Sequence, residues 1–483
     1  MKFTSDLNVF LNPKSVAVIG ASERPGSWGG FIMEGLLSVQ YPGKIYPVNH
    51  QAERVFDLPC YRDIRQIKEP VDLAVIAIPQ QDLAETIAAC GKKGVKGITV
   101  ITAGFAETSD EGGQSQAGLA GLARSMGMRM LGPNVSGTFN LHGKFNASSS
   151  SLHSQTPCIT PIAALCQGGF AMHDLFASAG HRKMGLGKFI HTGNEADLTV
   201  TDFMEYFGQD PETQAIVMYI ETIRDIRRFM EVARRVNQTK PVVIYKGGRT
   251  EDSARAAQSH TGALSSKWQF YEGLFRQTGV VLSPAMELLL PLAHALIERP
   301  PMRGIRTAIV TMGGSWGVAL TDCLVESGLR VPEFSPDLQD ILRSLGLPAR
   351  ASSKNPVDFG ASGRFLETDF LVALGRAILR SGEVDAIILH GIGRAGMQET
   401  DTRKGFREVE KNQILGFSAL EKETGIPVMI GNHHGLWESR TISDLTGQGV
   451  RIYDRLHDIA WMLSAMQQYW KKRLAWSADK KSF

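Results

Sequence analysis

One histidine set among small residues is the chain's foremost candidate for chemistry: Ala256-Ala257-Gln258-Ser259-His260-Thr261-Gly262-Ala263-Leu264, preceded by Lys246-Gly247-Gly248-Arg249. An imidazole becomes a nucleophile when a partner holds one ring nitrogen and the other is left to attack. Ala, Ser, Gly and Thr carry little bulk, so this backbone can approach a phosphate closely or move as a unit. A lone loop histidine is also compatible with a capping or surface role, and its surroundings decide between the two. Pro241 to Tyr245 reads as a short buried strand before it, and Trp268 to Phe275 has helical apolar spacing after it. His260 therefore belongs to a strand-to-helix connection.

The elements that position such a residue come from a chain of 483 residues, long enough for about three domains. Strand-like and helix-like patterns alternate throughout, which predicts an α/β protein. Lys+Arg (52) nearly balance Asp+Glu (49), and with no basic stretch interleaved with aromatics, nucleic acid is not an expected partner. No apolar run is long enough to span a bilayer, and Met1 to Leu11 lacks a signal peptide's basic start and apolar core, so a cytoplasmic protein is expected. The five cysteines, Cys60, Cys90, Cys158, Cys166 and Cys323, are scattered without CxxC or zinc spacing and read as reduced thiols. His433-His434 are adjacent, so they converge poorly on one metal ion and read as a loop after the strand Ile426 to Ile430.

Three strand-glycine-helix turns stand out. Ser15 to Gly20 is an apolar strand ending in glycine, followed by Ala21 to Gly30 and an amphipathic helix, a Rossmann-type first turn that brings backbone N–H groups to a phosphate. The second strand, Lys44 to Val48, closes on Asn49-His50 without the acid that holds a nicotinamide ribose, which counts against NAD. After a polar linker expected from Ala147 to Pro157, Ile159 to Leu165 leads through Cys166-Gln167-Gly168-Gly169 into a helix expected from Phe170 to Ala179. Arg306 to Met312 leads through Gly313-Gly314 into another. Between the second and third turns, Asp210 to Ile220 forms a strand that ends on the carboxylate Glu221, suited either to orient an imidazole or to favour a following helix start.

Position by position, these segments resemble the alpha subunits of nucleoside-diphosphate-forming, specifically ADP-forming, acyl-CoA synthetases of the succinyl-CoA synthetase superfamily, over nearly the whole chain. The Ser-His-Thr-Gly loop matches at Ser259 to Gly262; further matches are Val71 to Pro79, Thr102 to Glu107, Gly132-Pro133-Asn134, Gly193 to Asp197 and Asn355 to Asp358. The resemblance implies an N-terminal Rossmann-type CoA-binding domain (1–145) and two flavodoxin-like doubly wound domains (146–300 and 301–483). It implies that His260 carries the phosphoryl group and Glu221 orients it. It places CoA at Gly20, Ser22, Gly26, Asn49, Ile78, Pro79, Gly104, Phe105 and Asn134, and phosphate at Gln167, Gly168 and Gly169, with Gly313 and Gly314 offering a second helix end.

The implied reaction is reversible: acyl-CoA, phosphate and ADP give carboxylic acid, CoA and ATP. Nothing in the chain resembles an ATP-grasp domain and no GxxxxGK[ST] occurs, so a separate ATP-grasp beta-type chain is expected to supply the ADP/ATP site and its Mg²⁺ in a hetero-oligomer. The chain departs from the family at His50 (proline), Val135-Ser136 (Cys-Leu), and Cys166 and Gly168 (both serine). The last two exchanges predict a weaker hold on phosphate or a wider acyl pocket, hence an acid bulkier than acetate. A CoA-binding or regulatory protein without turnover, and an NAD(P)-binding dehydrogenase, are the alternative readings.

Overall fold

The computed structural model describes residues 7–149, 158–169, 173, 179–180, 182–255, 268–360, 367, 369–393 and 405–479. The chain forms two compact units, Met1–Ala293 and His294–Phe483. The first unit holds two sheets. Sheet one contains β1 (Ser15–Ile19), β2 (Lys44–Val48), β3 (Leu73–Ile76), β4 (Gly97–Val100) and β5 (Arg129–Leu131) in the order β2-β1-β3-β4-β5, all parallel. β1, β3 and β4 are buried at every residue, as continuous apolar runs must be when helices cover both faces. The covering helices include α1 (Trp28–Ser38), α2 (Leu83–Lys93) and α3 (Asp110–Ser125). Ser27 caps α1, its side chain accepting from Gly30 N–H at 3.2 Å, and Ser109 caps α3 through Gly112 N–H at 3.1 Å.

Sheet two has seven strands: β6 (Gly137–Asn140), β7 (Phe145–Ser148), β8 (Ile162–Cys166), β9 (Lys188–His191), β10 (Ala215–Ile220), β11 (Val242–Lys246) and β12 (Val281–Leu282). Their order is β12-β11-β10-β8-β9-β6-β7, parallel from β12 to β9, with the antiparallel hairpin β6-β7 added at the β9 edge. Helices α4 (Val200–Gln209), α5 (Ile226–Asn237) and α6 (Trp268–Thr278) belong to this sheet. The boundary expected at 145/146 therefore falls inside β7, and the linker expected from Ala147 begins as a buried strand. Asn146 Oδ1 is satisfied locally, accepting from Ser148 N–H and Oγ at 3.2 and 2.6 Å. Gly35 of α1 makes this possible, since a Cβ there would lie 2.7 Å from the Asn146 carbonyl oxygen. Residues 150–157 and most of the helix expected from Phe170 lie outside the described residues.

The loop after β9 joins the two sheets. Backbone bonds run from Asn194 N–H to Pro133 O (3.0 Å), Ala196 N–H to Gly132 O (3.1 Å) and Leu198 N–H to Met130 O (3.3 Å). The Asp197 carboxylate, its side chain 2% exposed, accepts from Met130 N–H and Arg129 Nε, both at 2.9 Å. An ionised carboxylate taken from water is favourable only with such full pairing.

The second unit is built on β13 (Thr307–Thr311), β14 (Val357–Asp358), β15 (Ala386–His390), β16 (Val428–Gly431) and β17 (Ile452–Tyr453), parallel, in the order β14-β13-β15-β16-β17. Helix α7 (Gly314–Glu326) follows β13 directly, and the core gathers Val310, Leu374, Ile387, Leu389, Ile414 and Phe417. Asn355 is structural: its side chain accepts from Ile309 N–H at 3.0 Å and donates to Thr307 O at 2.8 Å, extending the pairing of β13 beyond short β14. Among the described residues, no helix is long and apolar enough to cross a membrane.

Candidate active site

Parallel α/β sheets bind ligands outside the carboxyl ends of their strands, where the chain reverses its direction of travel across the sheet. In sheet one that point lies between β1 and β3; in sheet two it lies between β8 and β10. A cleft of about 920 Å³ within the first unit is lined from both. Sheet one contributes Ile78, Pro79, Thr102, Asn134 and Val135, and sheet two contributes Gln167, Gly168, Gly169, His191, Tyr219, Glu221, Gly247 and Gly248. Trp28, Tyr245 and Met286 add apolar walls.

Of the expected CoA residues, Ile78, Pro79 and Asn134 line this cleft, and the others do not. Gly20 makes the turn itself, with φ +91°, and a Cβ on it would stand 2.3 Å from Ala77 O. Ser22 Oγ accepts from Arg24 N–H at 3.0 Å. Gly26 has φ +75° and open space around it. Asn49 acts as a turn residue: Nδ2 donates to Ala21 O at 2.8 Å and Oδ1 accepts from Gln51 N–H at 2.9 Å. Gly104 N–H donates to Glu107 Oε1 at 2.6 Å. Phe105 packs its side chain in the core of sheet one, fully buried, because the segment after β4 folds inward before α3. Asn134 combines left-handed backbone (φ +62°) with a 3.3 Å bond from its Nδ2 to Asn194 Oδ1.

On the other side, β8 and β10 pair Cys166 with Tyr219, which brings the Gln167 turn beside Glu221. Gln167 Oε1 accepts from Glu221 N–H at 2.6 Å and Thr222 N–H at 3.0 Å, while Nε2 donates to Thr222 O at 2.9 Å. The Gln167 side chain thus clamps the end of β10. Glu221 is buried, and Tyr219 OH donates to its Oε1 at 2.9 Å. Burial, reinforced by the neighbouring carboxylate, pushes the Tyr219 phenol well above its ordinary range, so it stays a donor. Tyr219 also stacks on Tyr245, with centroids 5.9 Å apart.

The two departures from serine have distinct effects. Cys166 is fully buried, its thiol donating to Gly168 O, and burial pushes the thiol pKa up, so it braces the turn as a neutral group. Gly168 does not widen the pocket as expected: a Cβ there would come within 2.7 Å of Tyr219 Cε1, so the tyrosine ring already fills that space.

Lys246, the last residue of β11, is buried over the Tyr271 ring at 4.5 Å. Burial drives its pKa down to about 8 against the upward pull of Glu221. Arg249 follows, its guanidinium 4.4 Å from the Tyr245 ring centroid and bonded to Lys246 O at 3.0 Å. These contacts anchor the start of the segment leading to His260, which itself lies outside the described residues. Gly313 and Gly314 form the start of α7 in the second unit, as expected from their turn, with Gly313 at its N-cap.

Trp28, Ser136, His191, Tyr219, Tyr245 and Met286 were not singled out as site residues by sequence reasoning, yet all line the cleft. Two of them carried a signal. Ser136 is a departure from the family pattern, and His191 opens the Gly193 to Asp197 motif as a histidine at a strand end.

Comparison with known proteins places these features in a family. Residues 14–139 match the model described as a CoA binding domain, and residues 160–296 match that of a succinyl-CoA ligase like flavodoxin domain. The alpha subunit of acetate–CoA ligase [ADP-forming] II of Pyrococcus furiosus is 35% identical over 464 residues, covering 96% of this chain and 97% of that one. The acetate–CoA ligase [ADP-forming] of Methanocaldococcus jannaschii is 33% identical over 73% of this chain, but the match covers only 49% of that relative. Among solved structures, the dinucleotide forming acetyl-coenzyme A synthetase 1 of Ca. Korarchaeum cryptofilum, in complex with phosphate and ADP, superposes with a TM-score of 0.85 at 30% identity, covering 98% of this chain and 99% of that one.

Proposed function

Since this chain belongs to the family of ADP-forming acetate–CoA ligase alpha subunits, and is the alpha subunit of an ADP-forming acyl-CoA ligase, we propose that it works through a phosphohistidine at His260 with an ATP-grasp partner chain. The observation that carries this reading is the shared cleft, in which the strand ends of a CoA-binding-type sheet meet the Gln167 turn and Glu221 of a flavodoxin-type sheet. CoA would enter along Ile78, Pro79 and Asn134, with the other sheet-one turns shaping the backbone that receives it.

A phosphate oxygen attacks the thioester carbonyl, the C–S bond breaks, and CoA leaves as thiolate, giving an acyl phosphate. A His260 nitrogen then attacks phosphorus, the bridging P–O bond breaks, and the carboxylate departs. ADP takes the phosphoryl group from the histidine, and ATP forms. Glu221 accepts the N–H of the opposite ring nitrogen, which fixes the tautomer and offsets the positive charge that develops on the ring. Such transfers need position and charge stabilisation more than covalent machinery. The half-length match to the Methanocaldococcus jannaschii relative supports a division of labour in which the rest of the activity resides on a second chain. Among the described residues, no group of three His, Cys, Asp or Glu side chains could hold a metal ion; Mg²⁺ is proposed to accompany the nucleotide on the partner chain.

Incubation of the chain with an acyl-CoA and radiolabelled phosphate tests the reading. Acid-labile, base-stable label on His260, absent from His260→Asn, is the expected result. No label, together with a CoA-dependent rise in melting temperature, would favour a CoA-binding protein without turnover; stabilisation by NADH and not by CoA would favour a dehydrogenase.

A further inference from the structure

His191 sits at the seam of the cleft with both ring nitrogens engaged. It ends β9, pairs in register with Cys166 of β8, and is 4% exposed. Nδ1 accepts the Ser136 backbone N–H at 2.7 Å, with Ser136 Oγ at 2.9 Å. An Nδ1 that accepts an amide proton leaves the ring proton on Nε2, and Nε2 lies 3.1 Å from the Gln167 carbonyl, to which it donates. Ser136 follows Asn134 and Val135 on the sheet-one side of the cleft. Gln167 begins the glycine turn, and its side chain clamps the backbone of Glu221. Hydrogen bonds therefore run without a break from Ser136 through His191 and Gln167 to Glu221, and all four residues line the same cleft. His173 joins from one side, its Nε2 3.3 Å from Ser136 Oγ.

We propose that His191 is a positioning residue that sets the spacing between the CoA-side backbone at Ser136 and the phosphate-side turn at Gln167. The inference rests on the proposed acyl-CoA and phosphate chemistry of this cleft. Attack of phosphate on a thioester tolerates little misplacement of the two reactants. A rigid ring bonded at both edges transmits position between the two walls. The alternative role, direct contact with substrate, would require His191 to give up one of the two bonds that hold it.

Two variants break opposite ends of the bridge. His191→Asn keeps an acceptor near the Nδ1 position and loses the donor to Gln167; His191→Gln keeps a donor near the Nε2 position and loses the acceptor for Ser136. Each is assayed with the partner chain in the acyl-CoA to ATP direction, alongside wild type labelled with phosphate at His260. The expected result is a rise of about tenfold in the phosphate KM for His191→Asn and in the CoA-ester KM for His191→Gln, each with the other KM little changed, as loss of one buried hydrogen bond on one side gives. Wild-type constants in both variants, or the same rise in both constants for both variants, would overturn the proposal. Failure of wild type to label at His260 is a separate outcome that removes the chemistry on which the proposal rests and so overturns it from the other direction.

Discussion

Tyr219 and Glu221, two residues apart at the end of β10, point to the same side and are joined by a 2.9 Å hydrogen bond from phenol to carboxylate. The bond fixes one carboxylate oxygen on the cleft wall. It also ties the orientation of Glu221 to the stacked pair Tyr219 and Tyr245.

Removing charge and removing orientation are therefore expected to differ in size. Glu221→Gln should lower kcat of the reconstituted enzyme by roughly 10²- to 10⁴-fold, the range for a group assisting proton and charge movement, whereas Tyr219→Phe should cost about tenfold or less. Both should melt near the wild-type temperature. Equal losses in the two variants would argue against a distinct role for the carboxylate.

Gly168→Ser restores the family residue but introduces a Cβ 2.7 Å from Tyr219 Cε1. The ring must swing off Tyr245 to admit it. Activity is expected to fall several-fold, and the double variant Gly168→Ser with Tyr219→Ala should recover part of any stability lost, a non-additivity that a double-mutant cycle reads directly.

Gly29→Ala tests the first turn by backbone sterics, since its Cβ would fall 1.9 Å from Gly20 O. Main chain cannot swing aside as a side chain does, so a destabilisation of about 2–4 kcal/mol is expected, with lost stabilisation by CoA. Denaturant titration with and without CoA measures both; an unchanged midpoint would show that the turn has slack.

Lys246 makes stability depend on pH. Its folded pKa is held near 8 by burial, below the ordinary 10.5, so between these values the unfolded chain binds more protons and stability rises with pH. Below about 8 the cost of a buried ammonium is fully present. Lys246→Met should raise the melting temperature at pH 7 and flatten its climb between pH 8 and 10.5; a parallel shift at every pH would contradict the assigned cause.

The strand-glycine-helix turns were legible because uninterrupted runs such as Leu73–Ile76 must be covered on both faces, and each ends at a glycine or small-residue turn. Glu221 was legible as an acid at a strand end. The β6-β7 hairpin was not: buried Asn146 and Ser148, joined through Asn146 Oδ1, give a strand the composition of a linker. The bridge through His191 was equally hidden, because it depends on which residues the register brings together. Cys166 opposite both Tyr219 and His191 is a relationship across three strands that local spacing does not contain. Gly168 misled for a related reason, since the space it frees is taken by a ring fifty-one positions later.

The missing side chain at Gly35 has a practical corollary for dissecting the molecule. A helix of one sheet there lies directly on the outermost strand of the next, so scission at position 145 would strip that helix of its cover and leave the fragment with a raw, pairing-prone margin. Excised pieces made on that plan are expected to aggregate, whereas the intact first unit, residues 1–293, is expected to stay in solution by itself.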